Sequence, residues 1–183
     1  MKTLFVDETI KYEGHQLAPH FIYKNFHLLG DSIIAFMGPV DVKIDEMVDL
    51  EDVINNEPIS SDLMLSFIVE IFDIGLNEGV FAQRMLVQTI KEELEDMGFG
   101  VKRQGDDLFF KGKKLSVSIA TKSLTSVLIH TALNVVSTGA PIEVASLNEI
   151  GISDVKKFAQ NVMIRYSDEL SDIKCAIYKV RGV

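Results

Sequence analysis

Residues 105–134 (GDDLFFKGKKLSVSIATKSLTSVLIHTALN) constrain the fold more than any other stretch of the chain. Short runs of β-branched and aromatic residues alternate there with turn residues, which is typical of strands joined by tight turns. Two lysines follow Gly112 at one turn, and a histidine and an asparagine occupy apolar strand positions. Polar groups in such strands lose hydration unless something pairs with them. The stretch is therefore predicted to form part of an antiparallel sheet and to offer a candidate site.

The whole chain is predicted to be one α+β domain, residues 1–183, with a mostly antiparallel sheet packed with about three helices. Helices are predicted from Ser60 to Gly75, from about Val80 to Met97, and after a cap at Ser153-Asp154; a helical insertion is expected at 60–78. Gly98 is expected to end the second helix, and Val155, Phe158, Ala159, Val162 and Tyr166 to form the buried face of the third. Strands are predicted at 3–6 and 9–12 (turning at Asp7-Glu8), Ser32–Met37 (broken by Gly38-Pro39), Val40–Ile44, 99–103, 107–111, 114–121, 126–136 and Ile173–Val180.

The charge balance argues against a nucleic-acid partner. The net charge is −9, from 27 acidic and 18 basic residues, and the lysine-rich runs are brief. The single cysteine, Cys175, excludes an internal disulfide and a cysteine-based zinc site, and we expect it to be buried in a strand. No apolar run approaches the roughly 20 residues of a membrane span, and no amino-terminal signal is evident. We therefore expect a cytoplasmic protein with no membrane partner.

The polar residues of the 105–134 stretch have two interpretations. Lys113 and Lys114 either present an amine to a carboxylate or phosphate, or cap a solvated hairpin that resists edge pairing. His130 and Asn134 are four residues apart in one strand and so share a face. They either line a pocket or are ordinary hydrogen-bonded interior residues.

No metal site is expected elsewhere in the sequence. Six carboxylates crowd residues 41–52, but their spacing does not match a calcium loop, and a solvated acidic face is the favoured interpretation. The histidines at 15, 20 and 27 have spacings that fit no standard zinc helix motif.

Residues 32–150 together resemble the catalytic module of biotin protein ligases, lipoate protein ligases and octanoyl transferases, which is akin to the class II aminoacyl-tRNA synthetase fold. The segment 107–115 (DLFFKGKKL) is similar to that family's turn motif, and 130–135 (HTALNV) to its acyl-pocket strand. The segment 34–39 (IAFMGP) resembles a strand ending in a Gly-Pro turn. The whole chain also resembles a mainly archaeal family of unknown function with this fold.

The resemblance implies a catalytic Lys114, which would contact an acyl carbonyl and phosphate. It implies ligand binding by Lys113, His130, Asn134, Gly38 and Pro39, a small carboxylate or acyl-type ligand, and no particular cofactor.

The sequence also departs from the pattern of the ligase families. Leu29-Gly30-Asp31-Ser32 replaces an arginine-glycine-rich phosphate motif, and a carboxylate there would repel phosphate. Met37, Val40 and Val117 replace a turn histidine and two glycines. No cysteine follows the Asn-Val strand in residues 136–152, and Ser146 is the candidate that would replace it as nucleophile.

Three functions are consistent with these features. The first is acyl or carboxylate-group transfer that uses Lys114. The second is a non-catalytic small-ligand module that has lost nucleotide chemistry. The third is a subunit whose exposed strands pair with a partner, such as a second copy in a homodimer.

Overall fold

The structure is a computed structural model that describes all residues 1–183. Its strands are β1 (Lys2–Val6), β2 (Ser32–Val42), β3 (Ile59–Phe72), β4 (Lys102–Gln104), β5 (Asp107–Phe110), β6 (Lys113–Lys114), β7 (Ser116–Lys122) and β8 (Ser126–Asn134). Five strands form the main sheet in the order β1-β2-β3-β8-β7, and β4-β5-β6 form a small second sheet. Only the β1–β2 pair is parallel, so the expectation of an α+β fold with a mostly antiparallel sheet is met.

The α-helices are α1 (Phe21–Phe26), α2 (Leu50–Asn55), α3 (Leu76–Asp96), α4 (Leu147–Ile150) and α5 (Val155–Tyr178). The two long helices, α3 and α5, pack together on one face of the main sheet and bury the larger of two apolar clusters. None of the five helices combines the length and the apolar composition that a membrane span requires.

The two long helices follow the sequence pattern closely. In α3, apolar residues recur every four positions and face the sheet, and Gly98 just beyond its end has a φ of 90°. In α5, the Asp154 side chain caps the first turn by accepting a hydrogen bond from the Lys157 main-chain N–H, and the five predicted core residues are buried. The predicted end of α3 at Met97 agrees with the structure, but the helix begins at Leu76 rather than Val80; for α5 the predicted start is correct.

The second face of the sheet is covered differently. Residues 7–31, called here the amino-terminal segment, include α1 and cross this face, and the smaller apolar cluster lies beneath them. Past β1 the chain continues alongside β2, where the Ile10 N–H donates to the Met37 carbonyl at 3.1 Å and the Tyr12 N–H to the Pro39 carbonyl at 2.9 Å. The predicted antiparallel turn at Asp7-Glu8 is therefore wrong.

β2 also differs from its prediction, because Gly38-Pro39 does not break it. The strand runs on to Val42 with a register irregularity between Gly38 and Val40, the kind of position where a sheet tolerates proline. A Cβ on Gly38 would lie 1.9 Å from the Ile10 carbonyl oxygen. Gly38 therefore lets the amino-terminal segment approach the sheet.

The predicted helical insertion at 60–78 is wrong. Residues 59–72 form β3, the longest strand and the centre of the main sheet, and residues 64–71 are buried without interruption. A strand that is covered on both faces reads as a continuous apolar run, and such a run fits a helix as well as a strand.

The predicted strand Ile173–Val180 is also wrong, since α5 continues to Tyr178. Cys175 is exposed on this last part of the helix rather than buried in a strand. The apolar residues Ile173 and Ile177 recur at helical spacing there and remain exposed.

Candidate ligand-binding site

A cavity of about 740 Å³ opens on the sheet face opposite α3 and α5. Its walls come from the amino-terminal segment, residues 46–60, strands β7 and β8, and residues 140–144. The volume lies within the range of small-molecule sites in proteins. The lining is partly apolar, with Val40, Val42, Met64, Val117 and Ile119 contributed by the main sheet.

Two stacked rings form part of the cavity lining. The rings of Tyr12 and His130 lie 3.7 Å apart between centroids and 13° from parallel. Both residues are almost fully buried, at 3% and 4% exposure. Burial raises the pKa of the Tyr12 phenol and lowers the pKa of His130 to about 3, so both side chains are neutral near pH 7.

The polar atoms of Tyr12, His130 and Asn134 on the cavity lining have only some of their possible hydrogen-bond partners within the chain. His130 Nε2 lies 3.3 Å from Ser66 Oγ, and Asn134 Nδ2 donates to the Leu115 carbonyl at 3.2 Å. No side chain or main-chain group pairs with the Tyr12 hydroxyl, His130 Nδ1 or Asn134 Oδ1. None of these three atoms is among the fully enclosed unpaired atoms, so each keeps some exposure, and all three residues line the cavity.

Lys114 lies on the cavity lining because a tight hairpin places it there. Lys111 and Gly112, between β5 and β6, both have positive φ, 50° and 83°, which matches the type I′ turn favoured in two-residue hairpins. The Lys114 amine lies 3.0 Å from the Asp107 carboxylate, and its side chain is 35% exposed. Burial raises the pKa of the Asp107 carboxyl, and the bond to Lys114 opposes that rise.

The structure brings Lys114, His130 and Asn134 to one cavity but leaves the other predicted ligand-binding residues outside it. The Lys113 amine points to Glu143, at 2.7 Å, and does not line the cavity. Gly38 and Pro39 lie under the amino-terminal segment, where they hold the main chain around Tyr12. Their contribution to the site is therefore indirect.

The acidic segment is solvated in part, since Asp45, Glu46 and Glu51 are exposed, and Asp41 pairs with Lys11. Four of its six carboxylates also line the cavity: Glu46, Asp49, Glu51 and Asp52. Seven carboxylates and a single lysine line it in total, the carboxylates being Glu46, Asp49, Glu51, Asp52, Glu57, Asp106 and Asp107. No group of three or more of the chain's His, Cys, Asp and Glu side chains is arranged to hold a metal ion.

Two residues that replace the ligase families' functional groups have structural partners. Ser146 caps α4, where its hydroxyl accepts a hydrogen bond from the Glu149 N–H at 3.3 Å, so it has a local role and is not placed as a nucleophile. Asp31 accepts from the Phe72 N–H and lies 3.3 Å from the Lys174 amine, away from the cavity lining.

Sequence reasoning missed Tyr12 and the cavity role of the acidic segment. Tyr12 belongs to a short apolar–polar stretch that carries no motif, and only its pairing alongside β2 brings it against His130. The available signal was the density of carboxylates just after the Gly-Pro turn, which marks a segment next to the predicted site.

The sequence matches the family described as "Domain of unknown function (DUF366)" over residues 1–181. The chain belongs to this family. An uncharacterised protein of Methanocaldococcus jannaschii is 37% identical over 180 residues, which are 95% of this chain and 81% of that protein. A solved structure of a protein of unknown function from Pyrococcus horikoshi is 34% identical, covers 100% of this chain and 99% of its own, and has a TM-score of 0.94.

This DUF366 chain is also similar in structure to protein ligases. A putative lipoate protein ligase from Thermoplasma acidophilum, solved with bound lipoic acid, has a TM-score of 0.64 at 15% identity, covering 93% of this chain and 86% of that one. The biotin protein ligase of Aquifex aeolicus, solved with biotin and ATP, has a TM-score of 0.63 at 16% identity, covering 94% and 72%. These identities show the fold alone. The predicted ligase-like α+β fold is confirmed.

Proposed function

We propose that the cavity binds a small acyl-type ligand and that Lys114 engages the ligand's carbonyl oxygen during acyl-group transfer. The observation that carries this proposal is the Lys114 amine on the lining of a ligand-sized cavity whose lining also contains His130 and Asn134. The ligase-like fold supports it, because the proteins of that fold named above were solved with lipoic acid and with biotin.

The chemistry follows from the positions of the charged groups. In transfer from a thioester, the nucleophile of the acceptor bonds to the carbonyl carbon, negative charge develops on the carbonyl oxygen, and the C–S bond breaks to release the thiol; a positioned amine stabilises the charge on that oxygen. In activation by ATP, the carboxylate of the acid bonds to the α-phosphorus and pyrophosphate leaves, and the same amine stabilises the charge on the phosphoryl oxygens. In this scheme Lys114 donates to the carbonyl oxygen, and Asp107 holds the amine in place at 3.0 Å. The neutral side chains of His130 and Asn134 offer hydrogen bonds to the bound ligand rather than a charge.

Replacing each of the two adjacent lysines tests the assignment. Lys114→Ala removes the amine that lines the cavity, whereas Lys113→Ala removes an amine that pairs with Glu143 outside it. The assays are pyrophosphate exchange with ATP and a panel of carboxylic acids, and thiol release from a panel of acyl thioesters. We expect Lys114→Ala to lose about 100-fold or more of the rate, as for loss of one oxyanion donor, and Lys113→Ala to keep it.

Thermal unfolding of both variants supplies the folding control. Unchanged melting temperatures would assign the lost rate to chemistry rather than to misfolding. Full activity in folded Lys114→Ala would contradict the role given to this lysine.

A non-catalytic ligand-binding module is the second candidate. Two observations favour it: the Lys114 amine is already paired with Asp107, and Asp31 stands in place of the ligases' arginine-rich phosphate motif. This alternative predicts that a ligand at 100 times its dissociation constant adds about 2.7 kcal/mol to the free energy of unfolding and so raises the melting temperature. Neither assay would detect turnover.

A further inference from the structure

The carboxylates around the cavity mouth lack counterions within the chain. Asp107 pairs with Lys114, and Asp106 with Arg84, at 3.0 Å each. The other five, Glu46, Asp49, Glu51, Asp52 and Glu57, form no ion pair. The lining therefore carries excess negative charge on the side formed by residues 46–57.

Asp52 is where this charge is most costly. Burial and then the neighbouring Asp49 carboxylate raise the pKa of the Asp52 carboxyl, while the charge of Lys114 lowers it. Like charges held near a partly buried carboxyl favour its neutral form unless a cation approaches. A free carboxylate ligand would add to this repulsion.

The floor of the same cavity independently indicates a bound molecule. Tyr12, His130 and Asn134 are more than nine-tenths buried and line the cavity, yet the Tyr12 hydroxyl, His130 Nδ1 and Asn134 Oδ1 have no partner in the chain and are not fully enclosed. Buried polar atoms normally have hydrogen-bond partners, so this neutral surface is suited to an uncharged polar group of a ligand.

From these two observations we infer that the cavity selects ligands that carry a basic amine, with the amine at the Asp52 side and an uncharged polar end on the Tyr12–His130–Asn134 surface. An organic cation fits better than a metal ion, because no three of the chain's His, Cys, Asp and Glu side chains are arranged to hold a metal. The inference rests on the proposed function in one respect, that the cavity is a ligand site, and it narrows the acyl-type ligand to an amine-bearing one.

A matched set of probes tests the preference. Hexylamine, 1-hexanol and hexanoate share one apolar chain and differ in charge, and chemical-shift titration of the intact chain measures even millimolar affinities. We expect hexylamine to bind several-fold tighter than 1-hexanol, hexanoate to bind weakest, and the Asn134 side-chain amide signals to shift on binding.

Charge-neutralising variants separate the site from general attraction to an acidic protein. Asp52→Asn removes a lining charge, and Asp45→Asn removes an exposed charge from the same segment that does not line the cavity. Both change the net charge equally. We expect Asp52→Asn to weaken hexylamine binding by about two- to five-fold, as for a partly exposed ion pair, and Asp45→Asn to leave it unchanged.

The outcomes also distinguish the two proposals. If 1-hexanol or hexanoate binds at the Asn134 signals as well as hexylamine does, or if Asp52→Asn and Asp45→Asn behave alike, the amine preference is wrong and the cavity remains a ligand site. If magnesium chloride shifts the same signals at lower concentration than hexylamine, a metal ion is the occupant and the inference is wrong. If no probe, acyl thioester or carboxylic acid shifts these signals, both proposals fail.

Discussion

The buried imidazole of His130 makes the stability of the fold depend on pH in a way that can be calculated. Its pKa is lowered from 6.5 to about 3 by burial, so the folded chain keeps it neutral while the unfolded chain protonates it below about pH 6.5. Between these two values the unfolded state binds more protons. Stability contributed by the neutral ring is therefore complete above pH 6.5 and is lost as the pH falls toward 3.

The size of the loss follows from the two pKa values. At about pH 5 the pH lies about 1.5 units below the unfolded-state pKa of the imidazole, so protonation lowers the free energy of the unfolded state by about 2 kcal/mol. Urea unfolding of the wild-type chain and of His130→Phe, at about pH 8 and about pH 5, gives the four free energies needed. Phenylalanine keeps an aromatic ring against Tyr12 and removes the titrating group.

We expect the wild-type free energy of unfolding to fall by about 2 kcal/mol more than that of His130→Phe over this range. The carboxylates are the same in both proteins, so their contribution to the pH dependence cancels in the comparison. His15→Gln, which removes an exposed histidine, should follow the wild-type curve. Parallel losses in the wild type and His130→Phe would refute the reasoning, because they would show an imidazole that is not protected from protonation.

Two further predictions concern packing, both read out by urea unfolding. Gly38→Ala should destabilise the fold by about 1–3 kcal/mol, because its Cβ would meet a main-chain oxygen at 1.9 Å. A Cβ on Gly100 meets nothing within 4 Å, so Gly100→Ala should be nearly neutral. Equal effects of the two substitutions would contradict the close approach at Gly38. Leu86→Ala, on the buried face of α3, should lower the free energy of unfolding by about 2–5 kcal/mol. Leu124→Ala, at a fully exposed turn, should lower it by less than about 0.5 kcal/mol. A small loss of stability at Leu86 would mean that the interface of α3 is not tightly packed.

Local periodicity located α3, the first half of α5 and strands β5, β7 and β8, but not the break at Leu115 that separates β6 from β7. The α3 and α5 patterns have a single apolar stripe, and the turns at Gly98 and Gly112 require the positive φ that glycine adopts easily. The tight turn before Lys114 could be predicted because Gly112 follows directly on a strand pattern, although the strand after it, β6, is shorter than predicted.

The central strand β3 could not be identified from the sequence because burial on both faces removes the alternation that distinguishes a strand. Leu63, Phe67 and Ile71 recur at helical spacing, and Ser60-Ser61-Asp62 matches a helix start. What decides the structure is the space between β2 and β8, which only a strand can fill, and that information is not local.

The candidate site could be predicted only where its residues are close together in the sequence. Lys114, His130 and Asn134 belong to one contiguous stretch, so strand alternation alone places the last two on one face. Tyr12 and Asp52 reach the cavity through segments whose paths depend on long-range pairing, and no local pattern specifies those paths.

The stacked rings of Tyr12 and His130 join an early residue of the chain to the last strand of the main sheet. Such a contact closes a very long loop, so it forms only when the intervening strands have found their neighbours. The part of the cavity lined by both rings therefore depends on the native pairing of residues 10–12 with β2. A molecule that needs both rings would serve as a reporter of the finished topology.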